Sequence, residues 1–457
     1  MNKKVNNKNR SDFMNGIIIL IGKISYKILH LFGKGSTFPG DFALKANKNI
    51  FKYFKMPKKV IFVTGTTGKT SVMGCLYEIY NHAGYKVASN IKGANLCGGI
   101  LTTIINSSKL SGKSKVDVLI LEVDERYVKV ISKYITPNYL VINNLSRDQL
   151  ARNGHYELVF EDINKSIKKD TTLLINADDP LVNKFTLNKE NKVIYYGVKK
   201  NKYSTAKPQI NTLDVCYCPK CHSKLKFKYF NYGNLGYYTC PNKDYNRPKC
   251  DFEAELKDGL KINGEVVKIS DDALYNVYNT LVCYALTISD GVAPRHVIEA
   301  FNNLSMKVKR LNNFTYKDVE ATMLLSKNET PISYNQSLNY ISNQKGDKTV
   351  AIGFTRISGR YNLMDISWIY DINFESLNSK DVKKIILMGP YAYDLATRLE
   401  LAGISKSKFE FCTDIEKTFD YAIDNTVKGT KLYFVVYFDL NYKYIDILKK
   451  RGVKLWK

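Results

Sequence analysis

Hydrophobic positions recur along this chain in two rhythms. Between Phe13 and Phe32, Ile17, Leu20, Ile21, Ile24, Ile28 and Leu31 fall at helical spacing and predict an amphipathic helix. From Lys59 onward, short apolar runs alternate with amphipathic stretches. Lys59–Val63, Val116–Val123, Tyr139–Ile142, Thr172–Asn176 and Lys192–Tyr196 read as strands, and a helix is predicted from Lys69 to about His82. Such alternation predicts a mostly parallel α/β sheet. Residues 214–252 break the rhythm and read as a small inserted module. Helical patterns resume at Ala273–Ile288 and Pro294–Asn303. A second series follows from about residue 310, with strands near Thr349–Phe354, Lys384–Met388, Phe409–Cys412 and Leu432–Tyr437. Its helices are expected near Tyr391–Ala402, Ile415–Asn425 and Tyr444–Arg451.

This pattern divides the chain into a lead (1–50), a central α/β domain (51–305, with the insert 214–252) and a C-terminal, Rossmann-like α/β domain (306–457). The 457 residues suffice for that many units, and 44% hydrophobic residues exclude a disordered chain. The most apolar run, Ile17–Ile21, is followed by Lys23 and Lys27. It falls short of the ~20 residues a bilayer needs, so no membrane span is expected. Neither is a signal peptide, because no small-residue cleavage site follows.

Charge changes the picture in one place. The net charge is +26, and residues 1–60 hold 13 Lys+Arg against two acids, Asp12 and Asp41. A basic lead suits nucleic acid, an anionic membrane surface or an acidic substrate, as well as plain solvation. Part of the excess also follows a composition rich in Lys, Asn, Ile and Tyr.

Candidate chemistry begins where the first strand ends. VIFVTGTTGKTS carries Gly65-Thr66-Thr67-Gly68-Lys69-Thr70. The general phosphate-loop pattern is GxxxxGK[ST]; its first position falls here on Val63. Strand, glycine-bounded turn, GKT and helix come in the required order. Gly65 and Gly68 let the backbone curl around phosphate oxygens, and amides at the helix N-terminus point at the anion. Lys69 would hold the β/γ-phosphates, and the Thr70 hydroxyl would ligate Mg²⁺. Glu122, closing a strand in Glu122-Val123-Asp124-Glu125, is the expected second Mg²⁺ ligand. Asn176 and Asp179, in a turn after another strand, are candidates for adenine or ribose, although Asn, Asp and Pro also form turns.

Nine cysteines and no secretory signal fit a reducing cytoplasm. Cys75, Cys97, Cys283 and Cys412 sit in apolar settings and read as buried hydrophobes. The other five crowd into Cys216–Cys250. Cys218-Pro219-Lys220-Cys221 is one metal knuckle; Cys240 and Cys250 are taken as the other half of a structural Zn²⁺ site, with Cys216 or His222 as alternates. Lys243 stands where a second CxxC would place its cysteine.

Together these motifs resemble the Mur ligase superfamily. The likeness rests on TGTTGKT, Ser89-Asn90, Gly93-Ala94-Asn95, Glu122–Glu125, Asn144–Leu150, Asn176–Pro180 and Tyr275–Asn279. EVDE, RDQL and the cysteine insert resemble its MurT branch. So do Gly33–Gly40, Asp365-Ile366-Ser367-Trp368, Asp371–Glu375, and Gly389 with Asp394, Ala396, Arg398 and Leu399. The resemblance adds Asn279 and Arg310 to the expected ATP-binding residues, with Lys69 and Asp365 as catalytic residues. It implies an ATP-dependent carbon–nitrogen ligase that amidates the D-glutamate α-carboxylate of lipid II through an acyl phosphate. Ammonia would come from a separate GatD-like glutaminase. Ala151, His155, Asn362–Met364 and Lys309-Arg310 depart from the family pattern. Two other readings are a Mur-type ligase adding an amino acid to another carboxylate, and a nucleic-acid-binding zinc-ribbon ATPase. The intact GKT and EVDE favour an enzyme, and no nucleic-acid partner is expected. The expected location is cytoplasmic, at the inner face of the membrane.

Overall fold

The computed structural model describes residues 2–32, 35–90, 94–146, 155–208, 213–269, 273–303, 311–327, 329–354 and 365–455. Gly33-Lys34, Gly93, Arg147–Ala151, Lys309-Arg310 and Asn362–Met364 lie outside them, so the expectation for Arg310 does too. Residues up to 305 supply one compact unit and 306–457 most of a second.

The first unit is built on a nine-stranded sheet. Strands β1 (Lys59–Thr64), β2 (Val87–Ser89), β3 (Val118–Glu122), β4 (Tyr139–Ile142), β5 (Thr172–Asn176) and β6 (Val193–Val198) run parallel, in the order β6-β5-β4-β1-β3-β2. The apolar runs of β1, β3, β4 and β5 are almost wholly buried, as a parallel sheet covered on both faces requires, while the edge strand β2 is half-buried. Within β1, Val60 and Phe62 face one core while Ile61 and Val63 face the other. Helix α1 (Asn2–Leu31), α2 (Phe38–Ala46) and α4 (Cys97–Asn106) belong to the core of Val60 and Phe62. Helix α3 (Lys69–His82) packs on the opposite face with a pair from the end of the unit, Leu274–Ser289 and Pro294–Asn303.

The insert behaves less simply than its sequence suggests. Strands β7 (Lys226–Tyr232) and β8 (Leu235–Thr239) form a separate hairpin. The chain then returns to the main sheet, where β9 (Phe252–Lys257) pairs parallel with β6. Two further strands, β10 (Gly259–Ile262) and β11 (Glu265–Val267), extend that edge antiparallel. At four and three residues, they are too short to stand out by alternation.

The second unit carries a six-stranded sheet. Strands β12 (Leu311–Tyr316) and β13 (Val319–Ser326) form a hairpin. Strands β14 (Lys348–Gly353), β15 (Val382–Met388), β16 (Phe409–Cys412) and β17 (Lys431–Tyr437) are parallel, in the order β12-β13-β17-β14-β15-β16. Val350 and Ile352 face one core, Ala351 the other. The last helix, Phe438–Lys450, starts six residues before the predicted Tyr444, directly after β17.

One expectation needs correction. Ser11–Leu31 is, by length and composition, apolar enough to cross a membrane. Counting only an uninterrupted apolar run understated it, because Lys23 and Lys27 interrupt an otherwise apolar helix. Here, however, one face of α1 is committed to the unit. Ile18 and Ile19 are buried, and Asn15 accepts a hydrogen bond from Asn47 at 2.9 Å.

Candidate nucleotide site and cysteine cluster

The loop between β1 and α3 takes its shape from two glycines. Gly65 has φ +126° and Gly68, which caps α3, has φ +81°. A Cβ on Gly65 would lie 2.6 Å from the Asn144 carbonyl oxygen, and one on Gly68 2.7 Å from Asn279 Oδ1. Both sites therefore require glycine, for conformation and for space. Neighbouring asparagines hold the loop. The Thr67 amide donates to Asn144 Oδ1 at 2.9 Å, and the Thr66 amide to the Asn144 carbonyl at 3.0 Å. The Thr66 hydroxyl accepts from the Ser146 amide at 3.1 Å.

Lys69, Thr70 and Glu122 come together as expected. Lys69 Nζ donates to the Gly65 carbonyl and, at 3.0 Å, to Glu125 Oε2. The Thr70 hydroxyl donates to Glu122 Oε2 at 2.9 Å, and Asn95 Nδ2 donates to Glu122 Oε1 at 3.0 Å. Asn90 clasps the Glu122 backbone from both sides, accepting from its amide (2.8 Å) and donating to its carbonyl (2.9 Å). A hydroxyl and a carboxylate side by side at a strand end are hard oxygen donors of the kind Mg²⁺ takes. The pair fits that ion.

The side chain of Asn279, one of the expected ATP-binding residues, lies against Gly68 of the loop. Asn176 and Asp179 are otherwise engaged. Asn176 Oδ1 accepts from the Asp178 amide at 3.0 Å. Asp179 caps the short helix Pro180–Asn183, accepting from the Leu181 and Val182 amides at 2.8 and 3.2 Å. Both side chains are buried. Burial lifts the Asp179 carboxyl to about 7 against the pull of those two amides. Beside it, Asp178 joins three elements: it accepts from Arg247 Nε (2.6 Å), Tyr278 OH (2.7 Å) and the Val198 amide (2.7 Å). Burial works against the Arg247 charge, but Asp178 outweighs it and raises the guanidinium pKa. Nothing in the spacing of Asp178 and Arg247 announced this pair.

Of the four expected cysteines, the structure brings three together and leaves the fourth apart. Sγ of Cys218, Cys221 and Cys240 and a carboxylate oxygen of Asp244 all lie within 4.8 Å of one another. Cys250 is not in that set, and neither are the alternates Cys216 and His222. Cys250 instead lies beside Gly197 and Arg247, where burial raises its thiol to about 12. The reason is local. Lys243 takes φ +60° and its amide donates to the Cys240 carbonyl at 2.9 Å. That turn presents the next residue, Asp244, where a second knuckle would place a cysteine. Asp244 Oδ1 lies 3.2 Å from Cys218 Sγ, and Cys221 and Cys240 Sγ are 3.3 Å apart. The Ser223 hydroxyl and amide lower the Cys221 thiol to about 7. Three thiols and one carboxylate converging in this way fit a four-coordinate ion such as Zn²⁺.

In the second unit, Asp365 Oδ1 accepts from the Ser367 amide at 2.8 Å, at the start of a 3-10 turn, Ser367–Asp371. Trp368 is buried against Tyr334 and Phe354. Arg398 donates to the Ile372 carbonyl (2.8 Å) and to Glu375 (3.0 Å). The motif residues around Asp371–Glu375 and Arg398 are thus one packed corner. His155 stands just before the helix Tyr156–Ser166.

Comparison with known proteins agrees with this geometry. Residues 63–242 match the Mur ligase middle domain family, and residues 325–439 match the MurT ligase C-terminal family. The chain is 30% identical over 413 residues to a Streptococcus pneumoniae protein, covering 87% of this chain and 89% of that one. That protein is the MurT subunit of the glutamine-hydrolyzing lipid II isoglutaminyl synthase. The corresponding subunit from Staphylococcus aureus strain COL is 29% identical over 398 residues, with 84% and 87% coverage. Among solved structures, a pseudomurein peptide ligase type C from Methanothermus fervidus superposes with a TM-score of 0.65 at 22% identity, covering 88% of this chain and 80% of that one. MurF from Acinetobacter baumannii gives 0.58 at 14% identity, with 90% and 79% coverage. These structures share the fold. The chain belongs to the Mur ligase family of ATP-dependent ligases, in its MurT branch.

Proposed function

We propose that this chain is the synthetase subunit of a glutamine-dependent amidotransferase acting on lipid II. The observation that carries this is the joint presence of a formed phosphate loop and a MurT-type C-terminal region. A carboxylate is a poor electrophile at neutral pH. Transfer of the ATP γ-phosphoryl group to the D-glutamate α-carboxylate gives an acyl phosphate and ADP. Ammonia then forms the new C–N bond, phosphate leaves, and D-isoglutamine results. Lys69 binds the transferring phosphoryl group and offsets its charge, leaving Glu125 as it does so. Thr70 and Glu122 hold Mg²⁺, which neutralises charge on the nucleotide phosphates when bound. Asp365 acts on the acceptor or ammonia side, and a separate GatD-like glutaminase supplies the ammonia. Cys218, Cys221, Cys240 and Asp244 hold a structural Zn²⁺ that ties the insert together.

Product mass after incubation with lipid II, ATP and an ammonium salt tests the reading. Amidation replaces OH by NH₂ and lowers the mass by about one unit, whereas a Mur-type ligase adding an amino acid raises it by a whole residue. Substituting Asp365→Asn should lower amidation from ammonia and from glutamine alike; full rates with both would remove Asp365 from the mechanism.

A further inference from the structure

Helix α1 has two apolar faces. The inner one, with Ile18, Ile19 and Gly22, packs on the unit. A Cβ on Gly22 would touch Ile105 at 3.3 Å. Polar ties reinforce this face: Asn47 donates to Asn15 at 2.9 Å, and Lys23 Nζ donates to the carbonyls of Ile105 and Asn106. The outer face carries Phe13, Leu20, Ile21, Ile24, Ile28 and Leu31, each between 43% and 85% exposed. At 100° per residue these six side chains fall within roughly a third of the helix circumference. Because the inner face is fixed, the outer stripe has no core to turn toward among the described residues. Exposed contiguous apolar surface of this kind marks a docking site.

Charge selects the occupant. The first 60 residues carry 13 Lys+Arg against two acids. Lys23, Lys27 and Lys115 lie near enough that the latter two, after burial, lower the Lys23 ammonium to about 8. A second copy of the same face would bring like charges together. An anionic bilayer instead meets the stripe together with the exposed Lys27 and the basic lead. Full insertion across the bilayer would break the ties at Asn15 and Lys23.

We propose that α1 is an interfacial membrane-docking helix, its outer stripe entering the headgroup–acyl boundary of an anionic leaflet while its inner face stays on the ATP-binding unit. Its purpose, bringing a lipid-linked acceptor within reach, rests on the function proposed above.

The test is flotation of the full chain with mixed phosphatidylglycerol–phosphatidylcholine vesicles and with pure phosphatidylcholine vesicles. It is repeated for a variant carrying Leu20→Glu, Ile24→Glu and Ile28→Glu, whose helicity and melting temperature are checked. Wild-type protein should bind the anionic vesicles at least about tenfold better than the neutral ones, and the variant should lose that binding. Equal binding by the folded variant, or no binding by wild type, overturns the proposal. So does a wild-type dimer that the variant converts to monomer without any vesicle binding. Turnover of a water-soluble acceptor lacking the lipid chain separates the two ideas. Vesicle binding without turnover would overturn the function while the docking helix stands; turnover without vesicle binding would do the reverse.

Discussion

The phosphate loop and the cysteine cluster are both built at a tight turn, but different atoms converge there. In the loop the receptor is largely backbone: amides before α3, fixed by positive φ at Gly65 and Gly68. In the cluster it is side chains: three sulfurs and one oxygen brought within 4.8 Å. A backbone receptor tolerates little change in sequence, because its spacing and its glycines are set by geometry. A side-chain receptor accepts any donor that reaches the right point. The loop therefore appears in the sequence with Lys69 and Thr70 at the expected places, while in the cluster Asp244 stands with three cysteines where a fourth cysteine was expected.

The sharpest way to break this comparison is Lys69→Ala. Removing the charge that meets the transferring phosphoryl group should cost about 100-fold or more in ATP-dependent product formation, with the fold intact. Undiminished turnover, measured by product mass, would remove the loop from the chemistry.

Next in size is the pair Asp244→Ala and Cys250→Ser. The first should lower the zinc that the purified protein retains after dialysis against a chelator, since three remaining ligands leave the fourth position to water. The second should leave metal content unchanged, because Cys250 lies apart beside Arg247. The reverse pattern in elemental analysis would restore the cysteine to the site.

A smaller effect is expected from Gly68→Ala. The residue must hold φ +81°, which costs an L-residue about 1–2 kcal/mol, and its Cβ would press on Asn279 Oδ1. The variant should melt lower and bind ATP more weakly. Adding Asn279→Ala should recover part of the stability by removing the crowding and none of the part due to φ. Full recovery would show that conformation is not what the loop requires at this position.

What the sequence conveyed follows the same division. Parallel strands buried on both faces, such as β1 and β3, are long apolar runs and were placed to within about two residues. The edge strands β10 and β11, of four and three residues, carry no such run and were not anticipated. Lys69, Thr70 and Glu122 were found because each has a fixed place relative to a strand end or helix start. Asn90, Asn95 and Asn144, which brace them, were visible only as parts of motifs shared with the family; their contacts with Glu122 and the loop could not be read from spacing, because asparagine in a loop is also a common turn former. The Asp178–Arg247 pair spans 69 residues and was invisible for the same reason. The α1 helix was recognised, but the division of its apolar residues between a buried and an exposed face could not be seen from spacing alone. Two apolar stripes on one helix look like a single broad one.

The smallest expected effect concerns Asp179, which sequence assigned to the nucleotide and the fold assigns to a helix cap. Burial raises its carboxyl from an ordinary 3.8 to about 7. Between those values the folded protein holds a proton that the unfolded chain has released. Stability from this residue is therefore fullest at low pH and is lost as pH rises through the window, levelling off above about 7. Asn at this position keeps an oxygen for the Leu181 and Val182 amides and does not titrate. Asp179→Asn should therefore flatten the fall in melting temperature between about pH 5 and pH 8 and make the variant the more stable protein at the upper end. A variant whose melting curve runs parallel to wild type across that range would mean that Asp179 is ionised throughout. The carboxylate would then be reaching a charge or solvent outside the cap, as a nucleotide-facing residue would.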